Sequence, residues 1–100
     1  MKDYSPIKYT HYSIIEEGDD LNTLTETGAH VCNSSSIVSS ILNKPEGLTS
    51  AFKLINEEVA SSGWIRQIIY ENASCDIFVR ATTKTGGTKT GWVRILTENA

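Results

Sequence analysis

Trp64-Ile65-Arg66-Gln67-Ile68-Ile69-Tyr70 is the stretch on which the reading of this chain turns. It concentrates aromatic and β-branched side chains, which fit the pleated surface of a sheet. Its first half alternates apolar and polar residues. Its second half is apolar at successive positions, and because successive side chains point to opposite faces, this marks a central strand. Ser61-Ser62-Gly63 before it and Glu71-Asn72-Ala73-Ser74 after it are rich in turn formers, so a strand closed by reversals is predicted.

The neighbours on both sides carry weaker versions of the same signal. Ala51-Phe52-Lys53-Leu54-Ile55 alternates as a half-buried strand does, and the stretch from Glu57-Glu58 to Ser61-Ser62-Gly63 reads as a loop. Cys75 to Arg80 alternates again. Thr82 to Thr90, with Gly86-Gly87 at its centre, reads as a loop or hairpin tip, and Trp92 to Leu96 closes the sheet. Towards the start, Gly28-Ala29-His30-Val31-Cys32 is a short strand with Ala29 and Val31 on one face and His30 and Cys32 on the other. Asn33 to Asn43 admits two readings. One is a short helix capped by Ser34, Ser35 or Ser36, presenting Ile37, Val38, Ile41 and Leu42 at helical spacing. The other is an irregular loop. Either ends at Asn43-Lys44-Pro45, since the residue before a proline avoids helical angles. The predicted fold is all-β, a small antiparallel β-sandwich with at most one short helix near residues 35–42.

One hundred residues make one small domain, and 39 % apolar residues is low for a globular chain but above the disordered range. Such a chain buries a modest core, so a partner subunit would help its stability. Residues 1–17 stand apart: Tyr4, Tyr9 and Tyr12 are scattered among polar residues, Pro6 breaks any helix, and Ile14-Ile15 leads into the acidic turn Glu16 to Asp20. They are read as a tether or the end of a preceding element, with the domain at 18–97 and a tail at 98–100. A net charge of −3 argues against a nucleic-acid partner, which calls for a basic stripe. No apolar run near eighteen residues and no charged-then-apolar leader is present, so neither membrane insertion nor a signal peptide is expected, and release from a cell would follow another route such as lysis.

No residue set points to catalysis. Cys32 and Cys75 are too few for a disulfide framework and are expected to be reduced, small buried hydrophobes. His11 and His30 lack metal-ligand spacing with them, and no Cys–His pair stands in a recognisable nucleophile context. Glu16, Glu17, Asp19 and Asp20 lack the ligand spacing of a calcium loop and read as a solvated linker. Glycoside hydrolysis would need two carboxylates across a cleft, for instance Glu26 with Asp76, and nothing in the sequence supports that pairing. The expectation is a non-enzyme without metal or cofactor. Trp92 is expected in the core, as large aromatics mostly are. Trp64 and Tyr70 are the candidate ligand-binding residues, as rings for a sugar face. Arg66 and Gln67 are candidates for polar contacts with another subunit.

Five motifs stand in a telling order: Asp20-Leu21-Asn22-Thr23, the turn Thr25-Glu26-Thr27-Gly28, Asn43-Lys44-Pro45, Ile77-Phe78-Val79-Arg80, and Gly91-Trp92-Val93. Their succession over residues 17–97 resembles the pyocin-knob module of tail fibres from bacteriophages and phage-tail-like bacteriocins. The resemblance implies a non-catalytic tail-fibre module of a phage or prophage, serving host-surface adhesion or its structural support. It also implies a homotrimer, a glycan or other receptor on the host surface, and a place in the virion after assembly in the bacterial cytoplasm. Ala29 and His30 stand where the family commonly carries aromatics, and its His-x-His metal motif is absent, so no fibre-axis metal site is carried over. The alternative function is a carbohydrate-binding accessory domain of a cell-wall-degrading enzyme.

Overall fold

The computed structural model describes residues 12–59, 62–87 and 89–95. Tyr4, Pro6, Tyr9, His11, Leu96 and the 98–100 tail lie outside the described residues. Six strands and one helical turn follow one another: β1 (Tyr12–Ile14), β2 (Gly28–Cys32), α1 (Ser35–Val38), β3 (Phe52–Val59), β4 (Trp64–Glu71), β5 (Ile77–Thr83) and β6 (Val93–Ile95). The strands form a single sheet in chain order, β1-β2-β3-β4-β5-β6. β1 runs parallel to β2, and every other pair is antiparallel. A parallel pair needs a crossover of about a dozen residues. Residues 15–27 supply it, so Tyr12–Ile14, placed by the sequence reading with the leading segment, joins the sheet.

The all-β class with one short helix holds. The layer facing the sheet is not a second sheet but the crossover 15–27, α1 and the stretch 39–51. The reason is visible on β4, where Ile65, Gln67, Ile69 and Glu71 are buried while Trp64, Arg66 and Tyr70 are exposed. The strand is central, as its composition predicts, yet among the described residues only one of its faces is covered. The core lies between that face and the loop layer. Cys32, Phe52, Leu54, Ile69 and Phe78 rise from the sheet to meet Ile15, Leu21, Val38, Ile41 and Leu48 from above.

Between the helix and loop readings of residues 33–43, the chain takes one helical turn. Ser34 caps it by accepting a hydrogen bond from the Ser36 amide at 3.2 Å. Because α1 ends at Val38, the predicted apolar face splits: Val38 and Ile41 are buried, whereas Leu42 is turned outward. Leu42 instead pairs its backbone with the crossover, accepting from Leu21 N–H at 3.0 Å and donating to Asp19 at 2.9 Å. Asn43 then adopts φ 62°, a left-handed conformation that asparagine tolerates better than most residues. β3 runs on through Glu57 and Glu58, where a loop was expected. Opposite charge stabilises the extension, since Glu57 faces Arg66 across the ladder and Glu58 pairs with Lys84 at 2.9 Å.

The cysteines divide. Both are free thiols, and Cys32 is buried as expected, but Cys75 is exposed. It occupies the β4–β5 turn at φ 64°, where the chain reverses away from the core. That turn is fastened by Glu71, whose side chain points inward. One carboxylate oxygen accepts from the amides of Thr49 and Ser50 and from the Ser50 hydroxyl, each at 3.0 Å, and the other accepts from the Ser74 hydroxyl at 2.6 Å.

Burial opposes ionisation of Glu71, but the hydrogen bonds from Ser74, Thr49 and Ser50 outweigh it and hold the pKa below the ordinary 4.5. A depressed folded pKa contributes stability that is complete above 4.5 and lost as the pH falls through the folded value. Glu71→Gln should therefore cost about 2 kcal/mol near neutral pH. In urea melts taken across acid pH, the gap between the two proteins should narrow as Glu71 takes up its proton. A gap that stays constant would contradict this account.

Candidate interaction face

The motif residues of the sequence converge on one network, buried at Arg80 and Gln67 and reaching the surface at Asn43, which links the sheet to the layer above it. Arg80, on the inward face of β5, donates through Nε to Gln67 Oε1 at 2.6 Å and through Nη2 to Asn22 Oδ1 at 3.0 Å. Its guanidinium lies 4.5 Å from the centre of the Trp92 ring. Trp92 in turn donates from Nε1 to the Asn43 carbonyl at 3.1 Å. Asp20 Oδ1 accepts from Asn43 Nδ2 at 2.7 Å and from the Asn22 amide at 2.8 Å. Those two bonds, Asn43's first, hold the Asp20 carboxyl below its ordinary pKa. Burial lowers the Arg80 pKa, with the Asp20 charge acting against it, but a guanidinium stays protonated in either case. The hairpin tip closes on the same network. Gly86 has φ +75°, and a Cβ there would lie 2.3 Å from the Asn22 carbonyl oxygen, so only glycine fits.

Three of the four residues singled out on β4 share the outward face of the sheet. Trp64, Arg66 and Tyr70 are exposed there. Gln67 is not, and its assignment to a subunit contact is corrected: it is fully buried on the inward face. Its Nε2 donates to the Leu21 and Leu24 carbonyls at 3.1 and 3.2 Å. A side chain whose partners all lie inside its own subunit has nothing left to offer a neighbour. Trp92 is also more peripheral than expected, half-buried just before β6 and packed against the core from its edge.

The outward face is apolar across the full width of the sheet. The strand register aligns Tyr12, Ala29, Ile55, Ile68, Val79 and Val93 in one rung that crosses all six strands. A second rung runs Ile14, Val31, Lys53, Tyr70, Ile77 and Ile95, apolar but for Lys53. Beyond the first rung, Glu57 and Arg66 face each other, followed by Val59 and Trp64. Tyr12, Ile14, Val59, Trp64, Tyr70, Val93 and Ile95 are each more than a third exposed, Val93 at 60 %. The sequence reading marks Trp64 to Tyr70 as apolar on both faces; the missed signal was that the same holds for the neighbouring strands in register with it.

The other constellations stay apart or serve the fold. His30 is buried with Nε2 2.8 Å from the Glu26 carbonyl, and Cys32 lies against the Ser34 carbonyl. Asp76 pairs with Arg94, whose Nε is 3.0 Å away. Glu26 lies over the Asn56 end of the sheet and Asp76 beside Glu71 at the Phe52 end, about four strand residues or roughly 13 Å further along. Inverting and retaining glycosidases hold their carboxyls within about 9.5 Å, so these two form no such pair. Asp19 and Asp20 are used in local turns, and no group of three or more potential metal ligands occurs among the described residues.

No protein-family model matches the chain, and no curated protein matches it in sequence. A solved structure does match in fold: a C-terminal portion of the R1 pyocin fibre of P. aeruginosa, with a TM-score of 0.69 at 20 % identity. The match takes in 86 % of this chain and 21 % of the fibre chain, so this chain spans about a fifth of that structure's length. At such identity the likeness is one of fold, a pyocin-fibre-like module.

The network makes a stability prediction. Gln67→Leu removes the hydrogen-bond acceptor of a buried guanidinium and the donor of two loop carbonyls, and should cost about 3 kcal/mol. Adding Arg80→Met should recover part of that loss, because the orphaned charge goes with it. Urea melts of the two single variants and the double variant test this. Strictly additive losses would show that the two side chains are not coupled.

Proposed function

We propose that this chain is a module of a tail fibre from a phage, a prophage or a phage-tail-like particle, serving attachment to the host surface or the structural support of attachment. The observation that carries the reading is the fold shared with a pyocin fibre over most of the chain. The motif residues support it from within. Asp20, Asn22, Asn43, Arg80 and Trp92 are engaged with one another and fasten the crossover, a role that suits a structural module more than a reactive centre. On this reading the module is non-catalytic and works as a homotrimer. It is assembled in the bacterial cytoplasm and carried on the virion, where a host glycan or other receptor is its target.

Antibodies raised against the chain should decorate the fibres when particles produced by the source bacterium or its phage are examined by immunogold electron microscopy. Labelling confined to another part of the particle, or no labelling where the protein is present by mass spectrometry, would overturn the reading.

A further inference from the structure

We propose that the outward face of the sheet, along the two rungs led by Tyr12 and Ile14, is a contact surface between copies of this chain. The inference takes from the fibre reading only that several copies meet, and specifies the surface by which they do so.

The first argument is extent. Six strands about 4.8 Å apart make a face about 24 Å across, and the two rungs cover on the order of 300 Å² of it. That equals the largest apolar patch of a typical soluble monomer, and patches of this size often mark interaction sites. It is less than half of the roughly 800 Å² that one partner contributes to a standard interface, so the flanking Glu57, Arg66, Val59 and Trp64 positions belong to the same contact.

The second argument is chemistry. A sugar is held by hydrogen bonds to its hydroxyls, with a ring as a platform. Trp64 and Tyr70 offer rings, but aliphatic side chains dominate around them, and the first rung holds no amide, carboxylate or aliphatic hydroxyl. A membrane surface attracts basic protein, whereas this chain carries a net charge of −3 and places Glu57 on the face itself. Another protein surface of the same apolar character is the better complement. The third argument points to a copy of this chain. Glu57 and Arg66 stand on the same face at opposed positions, so it presents both signs of charge. In copies arranged about a shared axis, Arg66 of one can be set against Glu57 of the next instead of like against like. Among the described residues, the opposite side exposes Leu42 as its large aliphatic, the others being taken up in the core.

The test is sedimentation velocity on the whole chain across the micromolar range. The unaltered protein should assemble. Tyr70→Asp combined with Val93→Asp should weaken association at least tenfold while keeping the β-type circular dichroism spectrum. Leu42→Asp, at an exposed position on the loop layer, should assemble as the unaltered protein does. If the double variant fails to fold, a thiol-specific cross-linker on Tyr70→Cys in a Cys75→Ser background should join copies, while Leu42→Cys in that background should not. A monomeric unaltered protein at high micromolar concentration would overturn the proposal. So would assembly of the double variant at unchanged strength, or cross-linking through Leu42→Cys alone. Binding of the monomer to phosphatidylcholine vesicles or to immobilised bacterial polysaccharide, lost in the double variant, would assign the face to another occupant and overturn it as well. Loss of this contact with immunogold labelling intact would leave the fibre reading standing, and the converse would remove that reading and keep the face.

Discussion

An irregular backbone laid over a sheet must find partners for its carbonyls and amides, because water is excluded where the two layers meet. This constraint governs the molecule. The crossover from β1 to β2 carries Leu21, Leu24 and Glu26 over the inward face, and their carbonyl oxygens are met from below by Gln67 and Asn56. Arg80 extends the same support to Asn22. The inward face of a six-stranded sheet would ordinarily be aliphatic throughout. Here its middle is polar because the opposing layer is made of loop.

The consequence is a division of labour along the sheet. Towards the Phe52 end of β3, the facing layer contributes Val38, Ile41 and Leu48, and the contact is apolar. Towards the Asn56 end the facing layer is the crossover, and the contact is made by side-chain amides and a guanidinium. Trp92 and Asn43 join the two regions at the edge, since the ring stacks on Arg80 and its N–H reaches the turn that precedes Pro45. Residues far apart in the chain are thereby bound into one arrangement that displacement of any member would disturb.

With the loop layer spent on one face, the chain has nothing among its described residues to place on the other. Ile55, Ile68, Ile77 and Val79 consequently line an outward surface, although each sits in a strand whose alternate residues are core. An apolar surface of this kind costs free energy in water for as long as it stays exposed, and covering it would stabilise both sides of the contact.

The sequence by itself determined the strands, because period-two alternation and turn residues are local properties. Trp64 to Glu71 and Gly28 to Cys32 were legible to the residue or nearly so, with Ala29 and Val31 on one face and His30 and Cys32 on the other, although not which face is inward. It also contained the motifs whose order resembles a pyocin-knob module, although not what they do. Asp20, Asn22, Asn43, Arg80 and Trp92 are separated by up to 72 positions, and only folding brings their polar atoms within hydrogen-bonding or stacking range. Tertiary structure alone decided that Gln67 faces inward to a buried arginine, that Glu57 and Glu58 stay extended, and that the layer above the sheet is loop and not a second sheet. The physical reason is common to all three. Alternation reveals that a strand has two faces, but which face is covered, and by what, depends on non-local packing that no window along the chain contains.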